Sequence, residues 1–174
     1  GSNHLFQSYD RGDSWKIISP DLTTNDKELR NTSDGGGLTN SNTGGENHFT
    51  IITISDTPLD TNLIWIGTDD GNIQITRDNG INWENVRKNI KGVPSKTWVS
   101  RVEASKHKEG RAYVTFDNHR FDDNKPYVFM TDDYGKSWSN ISANLPLGYS
   151  VYVIKEDYID ENLPLVGTEK SAYF

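Results

Sequence analysis

One eight-residue phrase occurs three times: Ser8-Tyr9-Asp10-Arg11-Gly12-Asp13-Ser14-Trp15, Thr76-Arg77-Asp78-Asn79-Gly80-Ile81-Asn82-Trp83 and Thr131-Asp132-Asp133-Tyr134-Gly135-Lys136-Ser137-Trp138. The shared pattern is [Ser/Thr]-x-Asp-x-Gly-x-x-Trp. Such recurrence means one small supersecondary unit used repeatedly, not a single unrepeated core. The chemistry inside the phrase points the same way. Asp10, Asp78 and Asp133 can each accept from the N–H groups of a tight turn, and Gly12, Gly80 and Gly135 supply a backbone conformation that a Cβ obstructs. Trp15, Trp83 and Trp138 then open the next strand and pack back between sheets.

The spacers read as short strands. Asn47 to Ser55, Leu63 to Gly67, Asn72 to Thr76 and Trp83 to Val86 are rich in Val, Ile, Thr and aromatic residues, with Gly, Asp and Asn between them. The same four-part sentence follows at Trp98–Ala104, Ala112–Phe116, Tyr127–Thr131 and Trp138–Ile141. No segment carries a helical period of useful length. A second echo sets the register: Asp60-Thr61-Asn62-Leu63-Ile64-Trp65-Ile66-Gly67-Thr68 matches Asp160-Glu161-Asn162-Leu163-Pro164-Leu165-Val166-Gly167-Thr168. Ser171 to Phe174 and His4 to Gln7 then both fall on third strands.

The expected fold is all-β: β-propeller blades, each a four-stranded antiparallel sheet with a Trp-terminated hairpin, in an incomplete ring. The expected division is 3–21 for the end of one blade, 22–46 for a polar Gly-rich insertion, 47–91 and 97–144 for full blades, and 150–174 for a partial blade. A propeller closes with roughly four to eight blades. The chain is therefore either a piece of a longer propeller, the favoured reading, or self-associates through its open blade edges. The insertion exceeds the roughly 12–15 residues beyond which loops are usually functional or disordered.

Composition narrows the partners. Hydrophobic residues make up 33% of the 174 and aromatic residues 11%, so a few large rings per repeat carry much of the burial. A net charge of −7 argues against nucleic acid and anionic membrane. No apolar run approaches the roughly 20 residues of a membrane-inserted helix. Cysteine is absent, which excludes disulfides and thiolate metal sites. Gly1-Ser2 reads as a vector-derived remnant.

The three octapeptides resemble Asp-boxes, the BNR repeats of sialidases, of sortilin-type (Vps10) domains and of many secreted bacterial propellers. The segments Glu46-Asn47-His48, Thr97–Ala104 and Lys125–Phe129 extend the likeness to large bacterial BNR proteins labelled glycosyl hydrolase or sortilin-like. The resemblance implies boxes on the blade periphery, away from the ligand face, and an extracellular or periplasmic bacterial location. It implies fold more strongly than activity.

In this register the outer-to-inner connections and the loops between second and third strands share one face. That face gathers Glu46, Asn47, His48, Asp70, Trp98, Arg101, His119 and Arg120 as candidate ligand-binding residues, with Asp69, Lys96, Glu169 and Lys170 beside them. Trp98 can stack on a sugar, and Arg101 and Arg120 can hold a carboxylate. Against these stand blander roles: His48 opening an inner strand, Asp69–Asn72 as a hairpin turn, Trp98 as core. Arg87 and Arg111 fall at the periphery, so the arginine cluster of a sialidase is incomplete. No cofactor motif is present, and the four histidines lack metal-ligand spacing. The reading is a non-catalytic propeller segment that binds a glycan, peptide or partner protein. Its alternative is part of a glycoside hydrolase, with Glu46, Asp70 or Glu169 as acid/base candidates.

Overall fold

The computed structural model describes residues 2–27, 48–142 and 144–174. Its strands, in chain order, are β1 Phe6–Gln7, β2 Lys16–Ile17, β3 Ile51–Thr57, β4 Asp60–Thr68, β5 Ile73–Thr76, β6 Glu84–Asn85, β7 Trp98–Ala104, β8 Ala112–Asn118, β9 Asp123–Thr131, β10 Ser139–Asn140, β11 Val151–Glu156, β12 Pro164–Thr168 and β13 Ala172–Tyr173. They form four antiparallel meanders: β1-β2, β3-β4-β5-β6, β7-β8-β9-β10 and β11-β12-β13. The molecule is a run of β-propeller blades in an incomplete ring, as the repeats imply.

Each inner strand carries the same irregularity. Pairing slips between Ile51 and Thr53, between Val99 and Arg101, and between Val151 and Val153, leaving Ile52, Ser100 and Tyr152 as the extra residues of three equivalent bulges. A bulge bends and twists its strand. Here it lets neighbouring inner strands, β3 beside β7 and β7 beside β11, converge. These neighbours are tied by side chains instead of a ladder. Val102 N donates to Thr53 Oγ1 at 3.2 Å, Ala104 N to Ser55 Oγ at 2.8 Å, and Ser100 Oγ to the Val151 carbonyl at 2.7 Å. The hydroxyl residues of these strands are the seams between blades.

The first inner strand starts later than the β-rich run suggests. Phe49 has φ of +70° and Thr50 N donates to Asp69 Oδ1 at 2.8 Å, so the ladder opens only at Ile51. His48 lies in the bend before the strand and does not open it.

The three octapeptide turns are nearly superimposable in their bonding. The leading hydroxyl accepts from the Gly N–H four residues on: Ser8 from Gly12, Thr76 from Gly80, Thr131 from Gly135. The Asp carboxylate takes the backbone N–H of the residue before Trp at 2.8, 2.8 and 2.9 Å. The residue before each Gly (Arg11, Asn79, Tyr134) is itself left-handed, and a left-handed pair is how the chain reverses so tightly. These bonds hold all three carboxyls below the usual range. At Asp10, bonds from the Ser14 hydroxyl and backbone bring it to about 2. Backbone and side-chain bonds from Asn82 lower Asp78, and the Ser137 hydroxyl lowers Asp133.

The cores lie between blades. Trp138 packs against Trp65 and the cluster that also holds Ile73, Val86, Ile90 and Val114. Trp83 and Ile18 pack against the cluster of Leu5, Leu22, Ile64 and Ile66, and Trp83 Nε1 donates to the Ile18 carbonyl at 3.2 Å. Each tryptophan thus glues its own blade to the one before. Trp15 is 64% exposed.

Candidate functional site

The ladders place one acidic residue at the end of every second strand. Asp117 stands opposite Trp98. Asp69 N bonds the Thr50 carbonyl at 3.0 Å and Glu169 N the Ser150 carbonyl at 3.4 Å, which puts Asp69 and Glu169 at the matching position of their own blades. Three successive blades therefore aim a carboxylate at one end of the inner strands. Tyr152, the bulge residue of β11, sits among them: burial raises its phenol pKa, and Asp117 and Glu169 push it further up.

Outside this series, two blades pair a cation from the second-to-third-strand loop with an aromatic ring at the entrance of the inner strand. The Arg120 guanidinium lies 4.2 Å from the Trp98 ring centroid. Lys170 Nζ lies 4.5 Å from the Tyr149 ring and 2.7 Å from its hydroxyl. Arg120 and Lys170 are exposed, while the rings are half-buried. The third blade has a ring pair at this entrance, His48 and Phe49 with centroids 5.9 Å apart, but its loop offers Asp69 and Asp70. Nearby, Lys96 bonds Asp26 at 2.6 Å.

The candidates named from sequence fare differently. Glu46 and Asn47 lie outside the described residues. His48 presents a buried Nδ1 with no partner among the described residues. Asp70 is spent within the fold. One oxygen accepts from the Thr24 N–H and hydroxyl, both at 2.7 Å, the other from the Thr68 hydroxyl, and the residue is 1% exposed. It clamps the segment after β2 onto the next blade. Arg101 pairs with Glu103 at 3.5 Å, a glutamate that Lys155 and Lys106 also approach, at 3.1 and 3.8 Å. Its guanidinium serves that inner-strand cluster and is not converging with Arg120. His119 Nδ1 is bound to Asp117 Oδ2 at 2.6 Å.

Three features escaped the sequence. Trp98 does not offer an open ring face for a sugar on the side where Arg120 covers it; the two act as one unit. Asp117 follows Phe116 as Asp69 follows Thr68, a signal visible only with the bulge register in hand. Arg87, assigned to the periphery, turns inward. Its guanidinium lies 5.0 Å from the Phe116 ring centroid and donates to the carbonyls of Ile90, Val93 and Pro94. Burial pulls its pKa below the ordinary arginine value. It organises the connection that delivers Thr97 and Trp98 to the site.

What the arrangement can do follows from these bonds. Asp69, Asp70 and Asp117 accept local donors, and burial together with the Asp70 charge raises the Asp69 carboxyl. Arg120 and Lys170 are exposed cations at this end of the inner strands, with Glu169 exposed beside Lys170. A planar guanidinium held flat on an indole keeps its edge N–H groups in a fixed fork suited to a carboxylate.

No family model matches the sequence, and no curated protein is similar to it at a significant level. Similarity appears in the fold. An ancestral GH74 enzyme matches 98% of this chain with a TM-score of 0.66 at 15% identity. YCF48 bound to D1 peptide matches 81% with 0.51 at 18% identity, and the GH74 xyloglucanase from Xanthomonas campestris matches 72% with 0.51 at 14% identity. The chain spans 20%, 34% and 19% of those proteins respectively. At such identities the likeness is one of fold, and the fold is a β-propeller. Among the described residues no helix is long and apolar enough to cross a membrane.

Proposed function

We propose that this chain is a non-catalytic segment of an exported bacterial propeller of the Asp-box (BNR) class, which binds a carboxylate-bearing glycan, peptide or partner-protein segment across its loop face. Blade boundaries at 3–21, 47–91, 97–144 and 150–174 belong to the same proposal. The observation that carries it is the Arg120–Trp98 pair, echoed one blade on by Lys170–Tyr149. Two cations held over rings at the same end of adjacent blades make a two-point clamp for an extended acidic ligand. The carboxylates nearer the inner strands offer acceptors for its amine or hydroxyl groups. YCF48, which shares the fold, is bound to a peptide, and this supports a peptide as one class of ligand.

The test is titration calorimetry with a polyglutamate peptide, an oligogalacturonide and a neutral β-glucan oligosaccharide. Binding of an acidic probe, lost in Arg120→Ala and weakened in Lys170→Ala, supports the proposal. Equal binding by wild type and both variants sinks it.

A second reading, part of a glycoside hydrolase, is favoured by the 98% coverage of this chain by a GH74 enzyme. Of its acid/base candidates Glu169 is exposed and Asp70 is buried in hydrogen bonds. Release of reducing sugar from xyloglucan, abolished by Glu169→Gln, is the result that would establish it.

A further inference from the structure

Trp98 and Asp117 face each other across the ladder of β7 and β8, so their side chains leave the same face of the sheet. Each receives one residue of the turn that follows β8. The Arg120 guanidinium lies over the Trp98 ring, 4.2 Å from its centroid, and the His119 imidazole lies against Asp117, its Nδ1 2.6 Å from Oδ2. A cationic fork and an imidazole with one nitrogen already engaged are thus held on two facing residues. All four belong to the blade β7-β8-β9-β10, which has the inner strand β3 on one side and β11 on the other.

The turn that sets them is braced. His119–Phe121 form one 3-10 turn, closed by the Asp122 N–H on the His119 carbonyl at 3.0 Å, with Asp122 left-handed at φ of +56°. Beneath it, Asn118 Nδ2 and the Tyr127 hydroxyl both donate to Asp123 Oδ2, at 3.1 and 2.7 Å. The bonding fixes the tautomer as well. Asp117 Oδ1 accepts the His119 N–H at 3.0 Å, and an ionised carboxylate can only accept, so Nδ1 carries the hydrogen that points at Oδ2. In the neutral imidazole Nε2 is then a lone-pair acceptor. The side chain is 48% exposed, and Nε2 has no partner among the described residues.

We propose that His119 is the specificity-determining residue of this face and Asp117 its positioning residue, together selecting an acidic glycan over an acidic peptide. The inference rests on the carboxylate-binding reading of the face. A ligand whose carboxylate occupies the Arg120 fork brings its neighbouring atoms to Nε2. The lone pair there favours a hydrogen-bond donor and disfavours a second carboxylate oxygen. A uronate carries its carboxylate on a ring set with hydroxyls, and a hydroxyl donates to Nε2. A glutamate side chain carries its carboxylate on two methylenes, which donate nothing.

Titration calorimetry with an oligogalacturonide and a polyglutamate peptide, beside nitrogen NMR of the imidazole, tests this. Wild type should bind the oligogalacturonide about tenfold tighter, the worth of one hydrogen bond, and His119 should show a protonated Nδ1 and a bare Nε2. Asp117→Asn should reverse the tautomer. The asparagine carbonyl keeps the His119 N–H, its amide group then faces Nδ1, and the hydrogen moves to Nε2. The ratio of the two affinities should fall about tenfold in that variant and in His119→Ala, which leaves Asp117 in place. An Nε2–H tautomer in wild type, or a ratio that survives either variant, overturns the proposal. Equal affinity of wild type for both probes removes the role of His119 alone. Binding of neither probe removes the carboxylate-binding reading itself, and this inference with it.

Discussion

The indole of Trp138 meets that of Trp65 edge to face, with centroids 6.0 Å apart and planes inclined by 79°. One ring belongs to the outer strand of its blade and the other to the second strand of the blade before, so the contact joins two repeats. Trp138→Ala opens a void at that joint and should cost about 3 kcal/mol. For a chain of this size that lowers Tm by roughly 6–12 °C. Trp15→Ala removes an equal ring from an exposed place and should stay within about 0.5 kcal/mol. Thermal melts followed by circular dichroism compare them; equal losses would contradict the unequal seating of the two rings.

The octapeptide aspartates set the acid limit of stability. Asp133 accepts from the backbone and hydroxyl of Ser137, and its carboxyl is lowered from 3.8. A lowered carboxyl means that the unfolded chain binds protons more readily, so stability is full above about pH 4 and is lost as pH falls toward the folded value. The window at Asp10 reaches down to about 2. Asp133→Asn keeps one acceptor but removes the titration. Its stability should fall less steeply from pH 4 to pH 2 than that of wild type, at a cost near neutral pH of about 1 kcal/mol or less, since the turn is wet. Urea melts across that range read the slope, and parallel slopes would refute the assignment.

Most of the fold was legible because each repeat states it locally. The hydroxyl, Asp, Gly and Trp of each octapeptide sit at fixed offsets, and turn geometry depends on neighbours in sequence. The site was less legible because its pairs are set by a bulge that sequence does not announce. Ser100 occupies an extra position in β7, and without it the register that puts Trp98 opposite Asp117 shifts by one. Asp70 reads as an exposed turn residue next to Gly71. Only the return of Thr24, far off in the chain, buries it.

Gly67 shows how tightly the inner strands converge. A Cβ there would stand 2.5 Å from Val99 Cγ1 and 2.6 Å from Thr53 Cγ2, both on stiff β-branched side chains. Gly67→Ala should therefore cost about 1–3 kcal/mol by overpacking. Adding Val99→Ala makes room, so the double variant should be more stable than the two single losses predict, with a coupling of about 0.5–3 kcal/mol. Strict additivity in chemical denaturation would mean that the two residues do not press on each other.

Asp69 reverses the acid argument. Burial raises its carboxyl above 3.8, the neighbouring Asp70 adds to the rise, and the Thr50 N–H and His48 oppose it. A raised carboxyl binds its proton more tightly when folded, so stability is lost as pH climbs from about 4 through the folded value. Asp69→Asn can still accept from Thr50 and carries no charge. It should melt higher than wild type at pH 7, by an amount that shrinks toward pH 4. A variant less stable at pH 7 would show that the charge serves the fold through His48.

Arg120→Lys probes whether the site needs a cation or a flat one. Lysine keeps the charge but is a compact, hydrated point on a flexible stem, and it cannot lie on an indole as a guanidinium does. The lost stacking on Trp98 is worth about 0.5–1 kcal/mol at an exposed position. Losing the two-pronged grip on a carboxylate adds to that, so affinity for the acidic probe should fall about tenfold. Trp98 emission should shift in the free protein as well, because the ring gains a wet face. A lysine variant that binds as tightly as wild type would reduce Arg120 to a charge, and the clamp would then be electrostatic alone, fading with added salt.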